Sequence, residues 1–316
     1  MVRATPKTAV IGAGMAGLTC ARELAQRGVN VVVFDKGRGL GGRMATRRAE
    51  GGFQFDHGAP YISAQSDGFA SMLQQAEAAG TVAHWSQVRE EQGYVGVPGM
   101  TGLAKYLGLG LTLRKEVRID RIVKADGGWK LVWADGAEVF DRVVVTVPAP
   151  QIAPLLPDDH IFIRHLNAVR MDPCLTLMVG LRKEAQLPLV FGRNPDEDIS
   201  WVNCDNSKPG RPNATSVVAQ AGREWSIRHL ELERDKIAEL MLPLLVSVIG
   251  ADLMADPAYV SAHRWRYALV SRPLGQSCLV DKEQTLFAGG DWCLGANAEH
   301  AWTSGQAIAE MVLNGM

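Results

Sequence analysis

Residues 8–36, TAVIGAGMAGLTCARELAQRGVNVVVFDK, constrain the fold more than any other part of this chain. They read as a strand, a glycine turn, a helix and a second strand closed by an acid. Ala9, Val10 and Ile11 form a short apolar run suited to a buried parallel strand. Gly12, Gly14 and Gly17 complete G-x-G-x-x-G directly after it. Gly12 permits the tight turn, Gly14 lets the backbone approach a pyrophosphate, and Gly17 lets helix and strand pack closely. Leu18, Ala21, Leu24 and Ala25 recur at helical spacing, with Gly28 as the stop. Val31, Val32 and Val33 form the second strand, and Asp35 follows Gly14 by 21 residues, where an acid reaches a ribose hydroxyl. The phosphates are expected at the helix N-terminus, whose free N–H groups and dipole favour an anion. Asp35 argues against NADP as the bound dinucleotide, because a 2′-phosphate beside a carboxylate is repelled.

The far end of the chain narrows the dinucleotide to FAD. Residues 285–305, TLFAGGDWCLGANAEHAWTSG, read as a strand (Leu286, Phe287, Ala288), a Gly-Gly-Asp turn and a helix start at 298–301. Gly289 and Gly290 allow close backbone approach, and Asp291 offers acceptors to ribityl or phosphate-proximal hydroxyls. The helix N-terminus would stabilise negative charge at a flavin N1/O2 edge. Between the two ends, Lys36, Arg38, Arg43, Arg47 and Arg48 put five cations into 13 residues, interleaved with Gly37, Gly39, Gly41 and Gly42. Such a run is usually a solvated face; here the glycines allow tight folding on a ligand, and Arg43 is expected to face the pyrophosphate. Phe53, Phe55 and Tyr61 surround DHGAP (56–60), a strand leading into a turn against the cofactor.

With 316 residues the chain is long enough for two domains. A net charge of −1 gives no electrostatic case for nucleic acid or an anionic membrane. MVRATPKTAVIG offers no apolar signal core. No apolar run approaches the ~20 residues of a membrane span; the most apolar, Leu240 to Ile249, is short and contains Pro243. Cys20, Cys174, Cys204, Cys278 and Cys293 show no C-x-x-C and no zinc spacing, so no metal is expected, and the set suits a reducing, cytoplasmic setting. Cys293, close behind Asp291, has the position of a redox thiol or a flavin attachment point, but a buried structural role is the better reading, as it is for Cys20 in the first helix.

Residues 66–87 read as an amphipathic helix followed by a loop, and 96–107 as a Pro-Gly turn before a short helix that Thr101 would cap. Three strand-like runs follow over 116–147, ending at DGG (126–128), at DG (135–136) and at Pro148, the third being Val143 to Val147. They suggest a meander attached to the nucleotide-binding sheet. LTLMVGL (175–181), ISWVN (199–203) and TSVVAQA (215–221) suggest strands, Ser226 would cap a helix, and Pro243 would kink or split a helix around Ile237 to Leu245. AYVSAHRWRYALV (258–270) is rich in β-formers. The expected division is a discontinuous FAD-binding domain, 1–62, 96–150 and 265–316, and a substrate domain, 63–95 and 151–264.

The fingerprint, GLGGRMATRR (39–48), FDHGAPYI (55–62) and AGGDW (288–292) resemble the amine-oxidase-type flavoprotein superfamily. With REWSIRHLE (223–231) and HRWRYA (263–268), the resemblance is closest to its renalase-like branch and runs nearly end to end. It implies an α/β fold with an α+β second domain: a Rossmann-like FAD-binding domain of p-hydroxybenzoate-hydroxylase/amine-oxidase type with an interleaved sheet-based substrate domain. It also implies non-covalent FAD and oxidation of 2- and 6-dihydro isomers of NAD(P)H by O2, giving NAD(P)⁺ and H2O2. The lysine and stacked aromatic pair of many amine oxidases cannot be identified, and Ser-Gly-Gly-Cys is absent. A dihydronicotinamide regains aromaticity on hydride loss and needs no strong base, whereas an amine must first be deprotonated.

The cofactor-contacting set expected on this reading is Gly12, Gly14, Met15, Ala16, Gly17, Asp35, Lys36, Gly42, Arg43, Met44, Gly58, Ala59, Val117, Gly290, Asp291, Glu299 and Ala301. Candidates for the substrate side are His57, Tyr61, Trp201, Asn203, Trp265, Tyr267, His300 and Trp302. Trp265 and Tyr267 share one face of a strand, which suits a pocket wall or a core equally. His57 and His300 suit ligand contact or structural hydrogen bonding equally. An amine oxidase, a dehydrogenase or desaturase using another acceptor, and a non-catalytic binding protein on the same scaffold remain the alternatives.

Overall fold

The computed structural model describes residues 6–88, 93–182, 191–194, 197–250 and 257–315. Residues 1–5, part of the N-terminus read above as lacking a signal core, lie outside them. The first half of the chain runs β1 (Lys7–Ile11), α1 (Met15–Gln26), β2 (Asn30–Asp35), β3 (Thr46–Arg48), β4 (Gln54–Asp56), α2 (Asp67–Ala78), β5 (Val82–His84), β6 (Tyr94–Gly96), α3 (Thr101–Leu107), β7 (Thr112–Lys115), β8 (Ile119–Ala125), β9 (Gly128–Trp133), β10 (Gly136–Phe140) and β11 (Arg142–Val145). The second runs α4 (Phe162–Leu166), β12 (Arg170–Leu181), β13 (Phe191–Arg193), β14 (Ile199–Cys204), β15 (Ser216–Ala221), α5 (Arg223–Arg228), α6 (Arg234–Ile249), β16 (Pro257–Arg272), β17 (Leu279–Val280), β18 (Leu286–Ala288) and α7 (Ala298–Asn314).

Two compact units result. The first comprises Met1–Gly42, Ala104–Met171 and Val270–Met316. Its sheet has the order β17-β18-β11-β1-β2-β7. Pairings from β18 through β7 are parallel, with Ala9 between Val32 and Val143. Ala9, Val10 and Val143 to Val145 are wholly buried, as expected for parallel strands covered on both faces. The helices α1 and α7 pack together so tightly that a Cβ on Gly305 would run into the Ala16 carbonyl.

The second unit comprises Arg43–Leu103 and Asp172–Leu269. Its sheet has the order β13-β14-β15-β12-β16. One face packs Leu175, Leu177 and Val179 on Trp225, Ile237, Met241 and Leu245 of α5 and α6. On the other, Met178 and Val218 pack on Phe53 and Phe55 around β4.

Several sequence expectations need correction. The meander is β8-β9-β10, and Val143 to Val145 instead join the parallel sheet. Gly136–Phe140 was not expected as a strand; it alternates half-buried and exposed positions, whereas β11 has the continuous apolar run of a strand buried on both faces. Contacts group 43–62, 96–103 and 265–269 with the second unit and 151–171 with the first. The cause is packing: Ile152, Leu156, Phe162 and Leu166 enter the core beneath the parallel sheet. The segment after α2 contributes β5, which pairs with β6. Thr101 is the first residue of α3 rather than its cap. Ser226 lies inside α5, where its hydroxyl accepts from Leu175 N–H at 3.1 Å. The helix α6 runs unbroken through Pro243; that position is exposed, so water can satisfy the carbonyl that loses its donor. Among the described residues no helix is long and apolar enough to cross a membrane.

Candidate functional site

The glycine turn is shaped by two different needs. Gly12 adopts φ +109°, open to glycine but rarely to other residues. A Cβ on Gly17 would run into the Gly12 carbonyl oxygen and lie 2.5 Å from Thr146 Oγ1. Gly14 is the opposite case. Its φ of −81° suits any residue, and nothing lies within 4 Å of where its Cβ would stand. Gly17 is therefore required by the protein's own packing, and Gly14 keeps a space open. At that space α1 begins without a side-chain cap, and its first ladder donor is Leu18 N–H, on the Gly14 carbonyl. The donors of Met15, Ala16 and Gly17 precede it, the pattern of a helix N-terminus that receives a phosphate.

Asp35 ties this turn to the end of β2. Its Oδ2 accepts from Ala13 N–H at 2.6 Å and its Oδ1 from Gly37 N–H at 2.6 Å. Each oxygen keeps a lone pair for a ribose hydroxyl. Val117 N–H donates to the Asp35 carbonyl, and Gly41 N–H to that of Ala13 at 2.8 Å. A Cβ on Gly42 would stand 3.6 Å from Gly14 Cα, so the 37–42 loop lies against the turn. Lys36 is exposed beside it. Loss of Asp35 removes these contacts as well as the ribose acceptor. Asp35→Ala should weaken FAD binding by about 1–3 kcal/mol, read by titrating the stripped protein with FAD; unchanged affinity would place the ribose elsewhere.

The C-terminal segment joins the same unit. Gly290 N–H donates to Ser304 Oγ at 2.9 Å, and a Cβ on Gly289 would stand 2.5 Å from that oxygen. Asn297 caps α7 by accepting from His300 N–H at 2.7 Å. Asp291, Glu299 and Ala301 are buried there, and Trp302 is half-buried. His300 Nδ1 is buried without a hydrogen-bond partner. Burial pushes the Cys293 thiol up to about 12, so a thiolate is disfavoured and a structural role follows. An open turn, an uncapped helix start and a ribose-directed carboxylate are the donor and acceptor set FAD requires, so these residues fit that cofactor.

The remaining expected contacts lie in the second unit. Arg43 donates through Nη1 to the Ala268 carbonyl at 2.9 Å, while its own carbonyl accepts from Ala59 N–H at 2.9 Å. Gly58 must be glycine, because a Cβ would strike that carbonyl. Met44 is buried.

His57 and Trp265 come together, with a residue that sequence reasoning missed: His263. The His57 and His263 rings meet edge to face at 4.8 Å, His57 stacks on Trp265 at 5.3 Å, and His263 meets Trp265 at 4.4 Å. Trp265 Nε1–H donates to the His57 carbonyl at 2.7 Å. The alternation that pairs Trp265 with Tyr267 also puts His263 on that face, which was the available signal. Burial, reinforced by Arg47, holds His57 down at about 4. Burial, His57 and Arg47 hold His263 at about 3. Both imidazoles are therefore neutral at pH 7.

This has a pH consequence. An unfolded histidine titrates at 6.5, so below that pH the unfolded chain binds more protons than the native one. The stability contribution of His57 is complete above pH 6.5 and is lost as pH falls toward 4, by about 3 kcal/mol. Denaturant unfolding at pH 7, 5.5 and 4.5 should show this loss, and His57→Phe should reduce the slope. An unchanged slope in that variant would show that His57 is charged in the native protein.

Tyr61 and Trp201 form a second aromatic pair, 5.7 Å apart. Tyr267 is half-buried on β16. Asn203 does not behave as a free substrate contact: it is wholly buried, accepting from Trp201 Nε1–H at 2.7 Å and donating to Asp205 Oδ1 at 2.8 Å. It leads into a buried charge network. Lys208 Nζ meets Asp205 at 2.5 Å and Asp56 at 3.5 Å, and Arg211 Nη2 meets Asp56 at 2.5 Å. Burial alone would raise the Asp56 carboxyl; Lys208 and Arg211 overcome that and hold it below its ordinary value.

Known proteins with related sequences or folds agree with this construction. The family of flavin-containing amine oxidoreductases matches residues 68–313, and the NAD(P)-binding Rossmann-like domain matches residues 10–76. A 4,4'-diapophytoene desaturase of Staphylococcus aureus is 46% identical over 52 residues, 16% of this chain and 10% of the desaturase. Among solved structures, a protein from Exiguobacterium sp. 255-15 provisionally assigned as a protoporphyrinogen oxidase superposes with a TM-score of 0.75 at 16% identity, covering 97% of this chain and 98% of that one. Putrescine oxidase bound to putrescine gives 0.71 at 12% identity, covering 98% and 99%. Cyclohexylamine oxidase from Brevibacterium oxydans IH-35A gives 0.68 at 14%, covering 98% and 99%. At these identities the structures speak to fold alone. With the family matched over most of this chain and the FAD cradle formed, the chain belongs to the flavin-containing amine oxidoreductases.

Proposed function

We propose that the enzyme is a renalase-like oxidase: it takes hydride from a small reduced substrate, the 2- and 6-dihydro isomers of NAD(P)H, and passes the electrons to oxygen. One dihydronicotinamide, one O2 and one proton then give NAD(P)⁺ and H2O2. Bound FAD supplies a hydride acceptor at N5 and a carrier that oxygen reoxidises. The observation that carries the reading is the His57–His263–Trp265 group. An imidazole held near pKa 4 is a poor base for an alkylammonium, which an amine oxidase must deprotonate. A dihydronicotinamide makes no such demand. The Trp265 indole suits its planar ring.

The test is anaerobic mixing of the purified yellow enzyme with each reductant. The 2- or 6-dihydro isomers should bleach the flavin rapidly. Ordinary 4-dihydro-NADH should be much slower, since displacing the reactive carbon by ~1 Å lowers the rate by ~10²-fold. Peroxide should appear in proportion once air is admitted, and denaturation should release intact FAD. Fast bleaching by a primary amine, with no response to the isomers, would establish an amine oxidase instead. That second reading is favoured by the fold shared with putrescine and cyclohexylamine oxidases.

A further inference from the structure

We propose that Arg47, His57 and His263 form a binding site for an oxyanion of the substrate, a phosphate or a carboxylate. All three belong to the second unit, on the β3–β4 hairpin and on β16. Arg47 lies in β3, opposite Phe55 of β4, and His57 follows β4 directly. On β16, Ser261, His263 and Trp265 alternate onto one face. Arg47 Nη1 donates to Ser261 Oγ at 3.1 Å, which fixes the guanidinium beside the two rings.

Three unmet demands converge here. Arg47 is half-buried, yet among the described residues no carboxylate pairs with it. Arg211 and Arg266, by contrast, are paired with Asp56 and Glu231. His57 Nδ1 and His263 Nδ1 are both buried without a hydrogen-bond partner, and His57 is only 6% exposed. Buried polar groups without partners are rare, because each leaves its desolvation uncompensated. An oxyanion answers these demands: it pairs with the guanidinium, accepts an N–H from His263, and favours the protonated form of His57, whose ring already hydrogen-bonds the Phe55 backbone and then has a second N–H to donate. The charged groups that act on His57 are Arg47 and Asp56, and those that act on His263 are Arg47 and Arg234. With cations outnumbering the single carboxylate, which is itself bound to Arg211, the local field favours an anion. After burial, Arg47 is the main cause lowering His57, and it lowers His263 after His57 itself, so neutralising it should let both titrate higher.

The identity of the molecule carrying the oxyanion rests on the substrate reading above; the site does not. The FAD-loaded protein with labelled histidine is titrated with sodium phosphate, and separately with sodium acetate, at constant ionic strength. His57 and His263 resonances, assigned with His57→Asn and His263→Asn, should shift saturably and their apparent pKa values should rise. The better-bound anion distinguishes a phosphate from a carboxylate source. Arg47→Gln should weaken binding by about tenfold or more, Arg47→Lys should restore part of it, and Arg266→Gln, on the opposite face of β16, should change nothing. In turnover, Arg47→Gln should raise KM for a dihydronicotinamide dinucleotide with little change in kcat, and leave KM for an N-methyl dihydronicotinamide unaltered. Resonances indifferent to both anions in the wild-type protein, or shifting equally in Arg47→Gln, would overturn the site. Failure of every dihydronicotinamide to react would remove the substrate reading and leave the anion titration standing.

Discussion

Gly14→Ala should fold normally and purify largely colourless. The backbone at Gly14 has φ −81° and ψ −175°, open to any residue, and the new methyl would meet nothing within 4 Å. It would instead fill the space kept beside the uncapped start of α1, where the pyrophosphate must approach the backbone. A fall in FAD affinity of at least about tenfold is expected, since even a shift of ~1 Å spoils several short charge-assisted hydrogen bonds. Gly17→Ala should behave in the opposite way. Its methyl collides with the Gly12 carbonyl and crowds Thr146 Oγ1, so α1 and β1 must separate, at a cost of about 1–3 kcal/mol or more. Thermal unfolding of the proteins stripped of FAD distinguishes them, with the 450-to-280 nm absorbance ratio of each protein as purified measured alongside. A normal melting temperature for Gly14→Ala with a depressed one for Gly17→Ala is the expected pattern. A full flavin complement in Gly14→Ala would mean that the turn does not hold the pyrophosphate.

That contrast also marks what can be read from sequence. The fingerprint is legible because everything it needs lies within 30 residues: apolar run, glycines, helix and Asp35 all act on one local turn. The Gly-Gly-Asp turn is legible as its counterpart because small residues at 289 and 290 have few other uses directly after a buried strand. Legibility stops where partners are distant in sequence. Asp56 precedes Arg211 by 155 residues, and no pattern around either announces the other. His263 was missed although its strand was recognised, because aromatic bulk drew notice to Trp265 and Tyr267 while the same alternation carried the histidine. Pro243 misled for a different reason: propensity penalises proline inside a helix, but exposure of that position lets solvent offset the lost bond, and the buried stripe of Ile237, Met241 and Leu245 outweighs the rest. The meander was misassigned because β10 alternates weakly, whereas β11 has the stronger hydrophobic signal and belongs to another sheet.

Arg211→Met should be among the most damaging single substitutions outside the FAD cradle. The Arg211 side chain is 1% exposed and that of Asp56 is wholly buried. The guanidinium holds Asp56 Oδ2 through Nη2 at 2.5 Å and Nε at 3.1 Å, and donates through Nη1 to the Gly96 carbonyl at 2.8 Å. Removing it leaves a buried carboxylate with Lys208 at 3.5 Å and neutral donors from Thr46 at 2.7 Å and Met100 at 3.0 Å. Breaking one side of such a pair costs about 3–5 kcal/mol, a large share of the 5–15 kcal/mol that holds a typical domain folded. Asp56→Asn should cost a comparable amount by stranding Arg211. The double variant, with neither charge present, should cost clearly less than the sum, because each single change includes the penalty of an abandoned partner. Urea unfolding of the four proteins gives the coupling directly. The effect should reach the histidine site as well. Asp56 N–H donates to Asp205 Oδ2 at 2.5 Å, which fixes the backbone immediately before His57, so loosening the network should move the His57 and His263 resonances without any ligand. A cost below about 1 kcal/mol for Arg211→Met would mean that Lys208 alone neutralises both acids and that the arginine is dispensable.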